Sequence, residues 1–78
     1  MPRYYFHIRR HEDVIEDREG VELPSDREAM DEAIKAAREM LSERILKGET
    51  VDGDEFDVRD ETGTELFSIR FRDVLRLE

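Results

Sequence analysis

The chain has 78 residues, of which 45% are charged, with a net charge of −9 and no cysteine. That length supports one small domain, and the missing thiols exclude disulfides, thiolate metal sites and cysteine nucleophiles. The excess acid disfavours bulk binding of duplex DNA, where neutralised phosphates supply most of the affinity, although a local basic patch can overrule the net value.

No apolar stretch approaches the ~20 residues of a membrane helix. The N-terminus lacks the apolar core of a signal peptide. A cytoplasmic protein is the expectation. So heavy a charge could suit a disordered chain, but the apolar residues are periodic throughout.

Tyr4, Phe6 and Ile8 alternate with Tyr5, His7 and Arg9. Period-two alternation of aromatic and β-branched residues predicts a half-buried strand. A polar turn at residues 10–13 and a second strand from Val14 make residues 3–17 a β-hairpin. Val21 to Pro24 then runs as an extended connector, because Pro24 keeps Leu23 out of the helical region.

Ser25 followed by Glu28 is a capping box. The helix it starts should reach about Lys47, with Gly48 as the stop. Met30, Ala33, Ile34, Ala37, Met40, Leu41, Ile45 and Leu46 recur at three- and four-residue steps and form one stripe. Phe56 and Val58 begin a second hairpin. Asp60 to Gly63 is its turn, and residues 66–72 are its return strand. Residues 73–78 read equally as a helical turn or a continued strand.

The expected fold is α+β in the order ββαββ, a four-stranded, mainly antiparallel sheet with one long helix on one face. Each layer has one apolar side and needs the other. The expected core is Tyr4, Phe6, Ile8, Met30, Ala33, Ile34, Ala37, Leu41, Phe56, Val58, Phe67, Ile69 and Phe71.

Parity then places Tyr5, His7 and Arg9 on the face away from the helix. Asp57, Arg59, Leu66, Ser68, Arg70 and Arg72 join them. Tyr5, His7, Arg9, Arg59, Arg70 and Arg72 are the candidate binding residues. Arginines for an anion or acidic partner, with aromatic rings for stacking, suit a recognition platform or a single strand. The competing reading is a solvated face whose arginines pair with Asp57, Glu16 or Glu65 across strands.

Other constellations are weaker. His7 and His11 lie roughly 13 Å apart along a straight strand, too far for one metal ion. The acidic run Asp52-Gly53-Asp54-Glu55 puts its glycine where a calcium loop does not, and reads as a solvated turn. Ser25, Ser42 and Ser68 have structural explanations or lack a nearby base, and no Gly-rich phosphate loop exists. No enzyme activity, cofactor or metal is expected. A non-enzymatic interaction or regulatory module is the leading reading, with a small-anion or single-stranded nucleic-acid binder as the alternative. Open sheet edges invite pairing, so a homodimer is one expected partnership, with no membrane.

Arg3-Tyr4, Phe6-His7, Asp17, Gly20 to Leu23, and Asp60-Glu61 with Gly63 carry a resemblance over nearly the whole chain. They resemble a family of short uncharacterised proteins of rhizobia and related alphaproteobacteria, known only as a domain of unknown function. The resemblance implies a stand-alone bacterial domain and brings no site residues with it.

Overall fold

In a computed structural model that describes residues 1–49 and 53–76, the elements run β1 (Arg3–Arg10), β2 (Asp13–Ile15), β3 (Val21–Glu22), α1 (Asp26–Leu46), β4 (Asp54–Arg59) and β5 (Glu65–Arg70). A 3-10 helix, Phe71–Arg76, follows. The sheet order is β2-β1-β4-β5, antiparallel throughout. The α+β strands–helix–strands arrangement is the expected one. The connector expected at Val21 is instead a short fifth strand, pairing Arg3 with Glu22 and Tyr4 with Val21.

β2 and β3 thus act as one edge strand, interrupted where residues 16–20 loop away from Tyr5 to His7. Asp17 closes the gap. Its Oδ2 accepts from the Phe6 N–H (3.1 Å), and its own N–H donates to His7 Nδ1 (3.0 Å). Oδ1 accepts from the N–H groups of Glu19 and Gly20. Gly20 has φ +68, and a Cβ there would sit 2.9 Å from the Tyr4 carbonyl oxygen and from the Tyr5 ring. Only glycine meets both demands without strain.

The helix approaches the sheet through Ala29, Ala33, Ala37 and Leu41, all buried. Small residues let the two layers come close, and the sheet side supplies the bulk. Phe56 packs on Phe71 with ring centroids 4.9 Å apart, and Phe6 meets Phe56 edge-on. Val58, Ile69 and Val74 complete the buried cluster. Tyr4 lies under the helix start and its hydroxyl donates to Asp26 (2.8 Å). Burial, then that hydrogen bond, pushes its pKa up to about 12.

Several core expectations are corrected. Phe6, Ile8, Met30, Ile34 and Phe67 are only partly buried, while Ala29 and Val74 belong inside. Ile45 and Leu46 are exposed. A row of residues four apart turns about 40° per step, because each residue adds roughly 100°. From Ala29 to Ile45 the row swings away from the sheet, and Arg44 takes the inward place.

The helix ends as expected. Glu49 N–H donates to the Arg44 carbonyl and Gly48 N–H to that of Ile45, with Gly48 at φ +75. This is a Schellman closure. The start differs from the expected capping box. Ser25 makes no side-chain bond to the helix backbone, and its hydroxyl donates to the Glu28 carboxylate. Ser25→Ala is therefore expected to lose less than the ~1 kcal/mol of a true N-cap. Paired denaturant melts check this, and a loss above that figure would restore the backbone cap.

The acidic run is also corrected. Asp52 lies outside the described residues, but Asp54 is buried rather than solvated. It sits on the helix side of β4, where Arg10 of β1 and Arg44 of α1 converge on its carboxylate. The expected return strand stops at Arg70. Phe71 opens the 3-10 helix, in which side chains three apart eclipse, so Phe71 and Val74 are both buried.

Candidate functional site

The uncovered sheet face is built by register. Tyr5 lies opposite Arg59, His7 opposite Asp57, and Arg9 opposite Glu55. β5 continues two of these rows with Ser68 beside Asp57 and Arg70 beside Glu55. Tyr5, His7, Arg9 and Arg59 thus share one face, as parity predicts. A register shift between Val58 and Arg59 puts Glu65, not Leu66, beside Arg59, and Leu66 packs against the core. Arg72 lies in the 3-10 helix, beyond the strand whose parity was to place it. Arg70 reaches Asp73 (2.9 Å). Arg70 and Arg72 line a separate hollow with Gly53, Asp54 and Glu55.

Asp57 is the centre of the face. Its Oδ2 accepts from Arg9 Nη2 (3.0 Å) and Arg59 Nε (3.1 Å). Arg9 also binds Glu55, and Arg59 reaches Glu65 and the Gly63 carbonyl. Burial works against the charge on Arg9, but Glu55 and Asp57 outweigh it and raise its pKa. Asp57 is almost fully enclosed, and its Oδ1 has no hydrogen-bond donor among the described residues. Two guanidiniums are thus held by their planar forks against fixed carboxylates.

Beside this network Tyr5 and His7 stack, with centroids 6.3 Å apart and planes 12° from parallel. His7 accepts at Nδ1 from Asp17, so a neutral ring carries its proton on Nε2. A shallow depression is lined by His7, Arg9, Val14, Glu16, Asp57 and Arg59. The turn at the far end is held by Asp60. Its Oδ1 accepts from the Thr62 hydroxyl (2.7 Å) and from the N–H groups of Thr62 and Thr64. The Thr62 hydroxyl, with the backbone donors, keeps this carboxyl below the usual range against the opposing effect of burial.

Sequence reasoning missed Glu55 and Asp17. Glu55 was legible, since it shares the parity of Asp57. Asp17 stood out only among the residues of the family resemblance, because its loop has no period. Among the described residues no three His, Asp or Glu side chains are placed to hold a metal ion. No helix there is long and apolar enough to cross a membrane.

Among protein families, a domain of unknown function (DUF6894) matches residues 3–72. No curated protein and no solved structure matches the chain.

Proposed function

The chain belongs to DUF6894, a family of domains of unknown function, and on that premise we propose a non-enzymatic interaction module that recognises a protein partner through its open sheet face. One observation carries this reading. The arginines of the face are fixed by its own carboxylates, Arg9 by Glu55 and Asp57 and Arg59 by Asp57 and Glu65. A face so neutralised offers a phosphate little unpaired charge. It offers a protein surface a rigid array of oriented donors, acceptors and rings, which favours specificity over raw electrostatic attraction.

The Tyr5–His7 stack supports the second reading, an anion or single-strand binder. The two separate by salt. Phosphate-driven binding falls steeply as salt rises, whereas a shape-driven protein contact does not.

The test must spare the network. Removing Arg9 and Arg59 together would strand the buried Asp57 carboxylate and destabilise the fold itself. Ser68 is exposed on the face, on β5 beside Asp57, so Ser68→Arg adds bulk without breaking a pair. The wild-type protein and this variant are used to capture partners from cell extract, quantified by mass spectrometry. A protein held by the wild type should be retained at least tenfold less by the variant, at an unchanged melting temperature. Equal retention would move the contact off this face.

A further inference from the structure

We propose a second contact surface, the outer edge of β2, which accepts an extended segment of basic-apolar chemistry as an added strand. β2 ends the sheet, and among the described residues no strand pairs with its outer side. Its two apolar side chains point to opposite faces and are both exposed, Val14 at 56% and Ile15 at 47%. Apolar residues on both faces belong to a strand covered by neighbours. An edge strand normally avoids them. The other edge, β5, follows the rule: none of its large apolar side chains is exposed.

The chemistry of the occupant follows from register. Side chains directly opposite one another share a face. Ile15 lies in a row with Ile8, Phe56 and Ile69 on the helix side, and Val14 lies beside Arg9 on the open side. Asp13 falls on the helix side with Ile15, and Glu16, just past the end of β2, lines the open-side depression with Val14. Each face of the edge thus presents one apolar side chain and one carboxylate. Asp13 and Glu16 have no ion-pair partner among the described residues, because Arg10, which lies opposite Asp13, turns to Asp54. An added strand that matches Asp13-Val14-Ile15-Glu16 residue for residue reads Lys-Val-Val-Lys. The pattern is palindromic, so it fits in either direction.

Two further observations favour a basic partner over a second copy. A copy of this chain would bring Glu12, Asp13 and Glu16 against their own kind, and like charges directly opposite are destabilising. The depression beside Val14 and Glu16 is also lined by Arg9 and Arg59, but both guanidiniums are already held by Glu55, Asp57 and Glu65. Glu16 is the carboxylate of that lining without an ion-pair partner among the described residues, and it is the acceptor a cationic side chain meets there.

The probe is a blocked peptide with a Lys-Val-Val-Lys core. It is titrated into the full chain and followed by amide NMR, beside peptides with Glu-Val-Val-Glu and Lys-Ser-Ser-Lys cores. Saturable shifts should centre on residues 13–16. The serine peptide should bind at least tenfold more weakly and the glutamate peptide should not bind. Asp13→Lys with Glu16→Lys, both at exposed positions, should reverse the preference between the lysine and glutamate peptides. Shifts centred on Glu65–Arg70, no preference between peptides, or no saturable binding would each overturn the proposal. So would a free protein sedimenting at twice its 9.3 kDa with the β2 amides protected, which would assign the edge to a second copy. Ser68→Arg should leave peptide binding unchanged, so this proposal and the open-face reading fail separately.

Discussion

Asp54→Ala should destabilise the domain by about 3–5 kcal/mol, the usual effect of breaking a buried ion pair from one side. Asp54 is 3% exposed and is the one acceptor shared by Arg10 and Arg44. Its loss leaves Arg44, itself mostly buried, without a counter-charge and unpins the end of α1 from the sheet. Against a total stability of about 5–15 kcal/mol for a domain, that is enough to shift the denaturant midpoint by a large fraction. Replacing all three partners, Asp54→Leu with Arg10→Met and Arg44→Met, should recover most of the loss, because apolar side chains of similar size owe no desolvation. Urea melts of the two variants decide it. A triple variant as unstable as Asp54→Ala would show that these groups do more than neutralise one another.

Phe71→Ala should be as damaging, about 3–5 kcal/mol, since it removes a fully buried ring and leaves a cavity. Phe71 has no exposure, packs on Phe56 and sits where β5 gives way to the 3-10 helix. Phe6→Ala should fall clearly below it. Phe6 faces the same core but is only partly buried, because α1 packs mainly against the 3-10 helix and β5. His7→Ala, one residue on, should lose about 1 kcal/mol, the worth of the hydrogen bond from Asp17 to its Nδ1. Melts of the three variants rank these sites. A Phe6 loss equal to that at Phe71 would mean that the helix covers β1 fully.

The fold was legible wherever a period ran long enough to fix a face. Tyr4 to Ile8, Phe56 to Val58 and the alanine row each did so, and the shared face of Tyr5, His7, Arg9 and Arg59 followed from the same parity. Three features escaped for physical reasons. Val21–Glu22 is too short to show alternation. Asp54 was read as part of an acidic turn, although its parity with Phe56 already pointed it inward. Pairing of the face's arginines with Asp57 and Glu65 was the competing reading, but the Arg9–Glu55 pair was not named, because which carboxylate an arginine meets depends on which strands are neighbours, and no local pattern carries strand order.

The residues that bear the family resemblance explain why function stayed illegible. Arg3 donates to the Glu19 carbonyl, Tyr4 to Asp26, and Asp17 clasps Phe6 and His7. Gly20 lies against Tyr5, Leu23 N–H returns to the Pro2 carbonyl, and Asp60 organises the turn closed by Gly63. Each builds the scaffold. A motif made of such residues transmits a fold and is silent about what the fold holds.

The central pairing of β1 with β4 also sets a timetable for the nascent chain. β1 comes off the ribosome before the strands it pairs with, yet its inner side is completed by a strand far along the chain, with Arg10 and its partner Asp54 separated by 44 positions. At roughly 5–20 residues per second, about two to nine seconds pass before β4 emerges. Through that interval Phe6 and Ile8 have no β4 to pack against, and β1 is held in shape by β2 and β3, the Asp17 clasp and, once it emerges, the start of α1 at Asp26.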